Sequence, residues 1–220
     1  MIPINIMRYK LIIFDFDGTL ADTFPYFLRT INTLATTYNF PAIEPEEVEQ
    51  LRGLDARQLM KRANLPAWKI PVIASSFMQR MAQDIDQIRL FDGIPELLTT
   101  IASQGVQLAI VSSNSEENIR RVLGPDCASL ITYYGCGSSL FGKHHKFKRA
   151  MAKSGVTPNE TLCIGDEVRD IEAAQEAAIA IGAVTWGYTR PDVLATYTGV
   201  ALFHTTNDII RMALGHHVRN

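Results

Sequence analysis

Short apolar runs alternate along the chain with segments of helical periodicity. Lys10–Asp15, Val106–Ser112, Leu130–Tyr134, Thr161–Gly165 and Ala178–Thr185 predict strands, with a weaker one at Val200–His204. Several are apolar throughout, the pattern of a parallel sheet covered on both faces. Ile94–Ser103 predicts a helix: Pro95 stands near its start, Gly105 lies just past its end, and Ile94, Leu97, Leu98 and Ile101 share one face. Ser115–Leu123 predicts a second, capped by Ser115 and stopped at Gly124-Pro125. His144–Lys153, ending before Ser154-Gly155, and the alanine-rich Arg169–Ala178 predict two more. This alternation predicts an α/β fold built on a doubly wound, Rossmann-like parallel sheet.

One connection breaks the rhythm. A crossover between parallel strands needs about a dozen residues, and the chain between Leu20 and Val106 is far longer. Ile94–Ser103 can serve as the crossover. The surplus, residues 22–90, is helical in pattern: Phe24, Phe27, Ile31, Leu34 and Tyr38 are spaced along one face of Phe24–Tyr38, and Pro45–Leu51, Ala56–Ala63 and Ile70–Ile88 follow. The expected organisation is an α/β core domain of residues 1–21 and 91–220, with a small helical cap domain of residues 22–90 above the strand ends. Its hinges would lie near Ala21–Thr23 and Phe91–Gly93. The alternative is a set of extra helices packed on the sheet edge.

Hydrophobic residues make up 47% of the chain and charged residues 20%, the balance of a soluble globular enzyme. A formal net charge of −2 gives no electrostatic footprint for nucleic acid or an anionic membrane. Asp15 and Asp17 interrupt the best apolar stretch well short of a membrane span. Met1–Tyr9 is too short and mixed for a secretory signal. Cys127, Cys136 and Cys163 show no C-x-x-C spacing and read as free thiols in a reducing cytoplasm. The expected partner is a small molecule, and the chain itself is expected as a monomer or homodimer.

Candidate chemistry gathers where strands end. In an open parallel sheet, ligands bind outside the carboxyl ends of the strands. The first predicted strand stops at Asp15-Phe16-Asp17-Gly18-Thr19. Two carboxylates there are costly to desolvate and repel each other, and a cation with a phosphoryl group would offset both costs. The second strand ends in Ser112-Ser113-Asn114 before a helix N-terminus, a natural site for phosphate oxygens. Gly142-Lys143 stands just ahead of another helix, and Gly165-Asp166 ends a strand with Asp170 four residues on. Each segment has a bland reading, such as a solvated lysine or a helix cap. All four together, in this order and at these places, do not.

These segments resemble the four motifs of the haloacid dehalogenase superfamily of aspartate-nucleophile hydrolases. Asp15 through Thr19 is similar to its first motif, Ser112 to its second, Lys143 to its third, and Gly165-Asp166 with Asp170 to its fourth. Asp22-Thr23, Leu51-Arg52-Gly53-Leu54 and Thr185-Trp186-Gly187-Tyr188 resemble the phosphoglycolate phosphatase-like branch, whose helical insert after the first motif is a type 1 cap. His144 follows Lys143 where this branch commonly has proline, and Lys146 and Lys148 stand close by.

The resemblance implies a Mg²⁺-dependent phosphatase of small phosphorylated metabolites. Asp15 would attack phosphorus to form an aspartyl-phosphate. Asp15, Asp166 and the backbone carbonyl of Asp17 would hold Mg²⁺, with Asp170 binding through water or anchoring the ligands. The Asp17 side chain would be the general acid and then the general base. A carboxylate there favours phosphoryl transfer over dehalogenation, because a halide leaves without a proton. Gly18, Thr19, Ser112, Ser113, Asn114 and Lys143 would bind the phosphoryl oxygens. Arg52 and Arg57 are the cap's candidates for an anionic substrate tail, set against a reading as ordinary exposed arginines. Glu167 and Arg169 are expected at the surface or helix start, and His144 and His145 in solvent. A phosphomutase using the same aspartyl-phosphate and a catalytically silent binding protein are the alternatives.

Overall fold

A computed structural model describes residues 9–54, 56–66, 68–137 and 142–215, with side chains left aside at 56 and 57. Six parallel strands form one sheet: β1 (Leu11–Phe14), β2 (Gln107–Val111), β3 (Ile131–Gly135), β4 (Thr161–Gly165), β5 (Ala180–Val184) and β6 (Val200–Phe203). Their spatial order is β3-β2-β1-β4-β5-β6. The chain builds outward from β1 to β3, then crosses back to lay β4 on the other side of β1. The direction of winding therefore reverses between β1 and β4, where such sheets open a crevice at their carboxyl ends.

Successive strand residues point to opposite faces, so each strand feeds two cores. Ile12, Phe14, Leu108, Ile110, Leu162 and Ile164 face one side. Helices α5 (Ile94–Ser103), α6 (Glu116–Leu130) and α10 (Thr206–Leu214) cover them. Leu11, Ile13, Ala109, Val111 and Cys163 face the other side, against Phe147 of α7 (Lys143–Ser154) and Ile171 and Ala174 of α8 (Val168–Glu176). Both faces are dry, which accounts for the unbroken apolar runs.

Between β1 and α5 stand α1 (Phe24–Tyr38), α2 (Val48–Leu51), α3 (Ala56–Arg62) and α4 (Lys69–Gln83). The chain enters and leaves this helical insert side by side: the Asp22 amide donates to the Arg89 carbonyl at 2.9 Å, and the Phe91 amide to the Leu20 carbonyl at 3.0 Å. Tyr26 of α1 and Met81 of α4, with Ile85 and Ile88 beyond, join the first core cluster.

Several boundaries differ from expectation: the helix expected over Ile70–Ile88 stops at Gln83 and gives way to a 3-10 turn at Ile85–Gln87. The helix expected to stop at Gly124-Pro125 resumes and runs to Leu130. Gly124 breaks it with φ 71°, and Pro125, preset for a helical start, begins it again. α7 begins at Lys143, one residue earlier than expected, with Gly142 as its N-cap at φ 87°. α9 (Pro191–Leu194) is a short helix between β5 and β6.

A Cβ at Gly182 of β5 would stand 2.1 Å from the ring of Phe203, so the two strands require hydrogen there. Gly182→Ala is expected to destabilise the fold by about 1–3 kcal/mol, read as a lower urea midpoint with an unchanged m-value.

Candidate active site

Asp15 is the first residue beyond β1 and Asp166 the first beyond β4; the Asp15 amide donates to the Ile164 carbonyl at 2.8 Å. Asp170 lies in the first turn of α8. All three carboxylates are buried, and one oxygen from each lies within 4.8 Å of the others.

Each is held differently. Asp166 Oδ1 accepts from the Thr19 hydroxyl at 2.8 Å, and Oδ2 from the Tyr188 amide at 2.8 Å. Asp170 Oδ2 accepts from the Asp166 and Glu167 amides at 3.2 and 3.1 Å, and Oδ1 from Lys143 Nζ at 2.5 Å. Asp15 Oδ1 lies 3.0 Å from Lys143 Nζ, while its Oδ2 is buried with no hydrogen-bond partner. A bare, buried carboxylate oxygen beside two other carboxylates is suited to ligate a cation. The donors are all oxygen, which suits a hard divalent ion such as Mg²⁺.

Close glycine packing sets this geometry. A Cβ at Gly18 would stand 2.3 Å from Asp166 Oδ2, and φ there is +77°. A Cβ at Gly187 would stand 2.2 Å from Asp166 Cβ, and one at Gly165 2.4 Å from Asp170 Oδ2. Larger side chains would push both carboxylates aside.

Burial, then neighbouring negative charge, pushes the Asp166 carboxyl well above the usual range. Burial raises Asp15 too, although Lys143 opposes it. At Asp170 burial is outweighed by Lys143 and Arg169, which hold it below that range. Lys143 is kept charged against its own burial by Asp15 and Asp170. Asp17 is half-buried, and burial followed by the Asp15 charge pushes it up to about 7. Both its oxygens lie 3.3 Å from Asn114 Nδ2.

The side chains expected around a phosphoryl group, and the lysines beside them, have definite partners. Lys143, not Lys146, reaches the carboxylates; Lys146 Nζ donates to the Ser112 and Gly137 carbonyls at 3.1 and 2.6 Å, bracing the backbone beyond β2 and β3. The Thr19 side chain serves Asp166. Asn114 is fully buried and turned to Asp17, its own Oδ1 accepting from the Ser115 amide at 2.9 Å and Asn118 Nδ2 at 3.1 Å. Ser112 is buried, its Oγ accepting from the Asn114 amide at 3.0 Å, and Ser113 is half-buried at the same turn.

Arg52 does not stand open to a substrate anion. Its guanidinium donates to the Gly187 and Tyr188 carbonyls and to Glu49 Oε1. The Arg57 side chain lies outside the described residues. Glu167 and Arg169 stand at the start of α8, one of the two places expected, but not at an open surface: both are half-buried and paired at 2.5 Å, and the Arg169 guanidinium is held charged by Glu167 and, beyond it, by Asp15, Asp170 and Asp166. Its Nε is buried without a partner. His144 is half-buried, with Nδ1 2.6 Å from Glu176 Oε2, while His145 is exposed as expected.

A buried carboxylate at a strand end, a second carboxylate two residues on, a half-buried lysine and a cluster of three buried acids thus meet where the winding of the sheet reverses. The sequence pattern of the haloacid dehalogenase-like hydrolases matches residues 12–184. The chain belongs to that family. It is an enzyme of the phosphoglycolate phosphatase-like branch. It is similar to the phosphoglycolate phosphatase of Synechococcus elongatus, 30% identical over 91% of this chain and 95% of that protein. It is also similar to the N-acetylmuramic acid 6-phosphate phosphatase of Pseudomonas aeruginosa, 26% identical over 84% of this chain and 86% of that protein. Among solved structures, a predicted phosphoglycolate phosphatase from Haemophilus somnus superposes with a TM-score of 0.75 at 26% identity, covering 94% of this chain and 99% of that one.

The two lysines make separable predictions for this hydrolase. Lys143→Met is expected to lower kcat/KM for a phosphomonoester by at least about 100-fold, as loss of a charged group at the reacting centre does. Lys146→Met, which loosens only backbone, is expected to cost about tenfold or less. Steady-state kinetics on both variants checks the assignment.

Proposed function

We propose that this protein is a Mg²⁺-dependent phosphatase that hydrolyses a small phosphorylated metabolite through an aspartyl-phosphate on Asp15. The observation that carries the reading is the unpartnered, buried Oδ2 of Asp15 within the carboxylate cluster. Asp15 and Asp166 would hold the ion, with the Asp17 backbone carbonyl. When bound, Mg²⁺ supplies the positive charge that lets a carboxylate approach a phosphate dianion. Asp170, committed to Lys143 and two amides, is an anchor for its neighbours.

Asp15 attacks phosphorus as the bond from phosphorus to the leaving oxygen breaks, and Asp17 gives that oxygen its proton. Asp17 then takes a proton from water as the water attacks the aspartyl-phosphate, releasing phosphate and restoring Asp15. Asn114 aims the Asp17 carboxyl, and a pKa near 7 lets it hold or release a proton at neutral pH. Ser112, the amides that follow it and Lys143 stabilise the phosphoryl oxygens.

The insert, residues 22–90, is the cap that covers the site and selects the substrate. Phosphoglycolate is the first candidate, because several similar proteins carry that activity in their names. Amino-sugar phosphates are the second.

Asp15→Asn is expected to abolish phosphate release from p-nitrophenyl phosphate while the circular dichroism spectrum is unchanged; substantial residual turnover would remove Asp15 as nucleophile. A screen of phosphorylated metabolites with Mg²⁺ is expected to find one phosphomonoester turned over far faster than the rest. No turnover of any would contradict the reading.

A further inference from the structure

Arg52 sits on α2's C-terminal side, in the insert, yet its guanidinium also reaches two main-chain carbonyls of the α/β core. Its Nη2 donates to the Gly187 carbonyl at 2.9 Å and its Nε to the Tyr188 carbonyl at 3.1 Å. The exchange is mutual: the Arg190 amide donates to the Arg52 carbonyl at 3.1 Å, and Arg190 Nη1 to the Glu49 carbonyl at 3.3 Å. The Phe24 ring packs beneath the guanidinium, 5.4 Å from its carbon.

The held segment is the one that grips Asp166. Tyr188 presents its carbonyl to Arg52 and its amide to Asp166 Oδ2 at 2.8 Å. Gly187, also held by Arg52, packs so closely on Asp166 that no side chain fits between them. A planar fork spanning two successive carbonyls fixes the path of that peptide, and hence the direction of the Tyr188 amide. The Thr23 hydroxyl, 3.0 Å from the Tyr188 hydroxyl, ties the same residue to the start of the insert.

We propose that Arg52 is a positioning residue for the cation site: docking of the insert through Arg52 sets the 187–188 peptide, and that peptide orients Asp166 as a metal ligand. The inference rests on the cation reading above and extends it by making metal affinity depend on the insert. Partners beyond a metal's own ligands commonly change affinity by about 10–100-fold when lost.

The test is calorimetric titration of the full chain with Mg²⁺ alone, without substrate. Arg52→Ala is expected to weaken Mg²⁺ binding by about tenfold or more. Glu49→Ala, which removes Arg52's acidic neighbour but leaves both carbonyl contacts, is expected to keep the wild-type affinity. If Arg52→Ala does not fold, Arg52→Gln, too short to span both carbonyls, carries the same expectation. Wild-type affinity in the Arg52 variants overturns the proposal, as does an equal loss in Glu49→Ala. A wild-type chain that takes no Mg²⁺ overturns the cation reading and this inference with it.

Discussion

Three carboxylates, Asp15, Asp166 and Asp170, are buried against one another, with the half-buried Lys143 reaching its ammonium between Asp15 and Asp170. Such a cluster is unstable on its own terms, because burial and mutual repulsion both oppose its charge. The surrounding structure is arranged to bear that cost. Lys143 bridges Asp15 and Asp170; Thr19 and the Tyr188 amide hold both oxygens of Asp166; the start of α8 gives two amides to Asp170. One oxygen, Asp15 Oδ2, remains without a partner, and it belongs to the residue proposed as the nucleophile.

The sheet topology makes this clustering possible. Asp15 and Asp166 are distant in sequence but leave adjacent strands at the reversal point between β1 and β4. The third glycine contact, at Gly187, brings the segment after β5 over Asp166. The helical insert enters directly after the first motif and touches the site through Arg52 on the 187–188 backbone, through Thr23 on the Tyr188 hydroxyl and through Met81 Sδ, 3.4 Å from Asn114 Nδ2. Position of the insert and geometry of the acids are therefore physically linked.

Most of this was legible in residue pattern. Apolar runs located the strands, most sharply β1 and β4, which are buried along their whole length, and more faintly the half-exposed edge strand β6. Asp15, Asp166 and Asp170 stood out because carboxylates at buried strand ends are hard to explain otherwise. What pattern could not show was which way a polar side chain turns. Thr19 and Asn114 carry groups suited to phosphate, yet here they hold Asp166 and Asp17, partners set by the fold and not by local sequence. Arg52 was legible as a guanidinium suited to bidentate contacts, but its acceptors are main-chain carbonyls with no side-chain signal. Tyr188 was missed as a holder of Asp166 for the same reason, since its amide does the holding. Glu167 and Arg169 were legible as surface or helix-start residues, and they do start α8, but only the folded chain shows the Arg169 charge beside the acid cluster.

The central claim is that the acid cluster is completed by a divalent cation. The most direct measurement is the melting temperature as a function of Mg²⁺ concentration, because an ion that binds only the folded chain raises stability by mass action. The account predicts a melting temperature that climbs with Mg²⁺ in the wild-type chain and does not move in Asp166→Asn. A wild-type melting temperature indifferent to Mg²⁺ would contradict it.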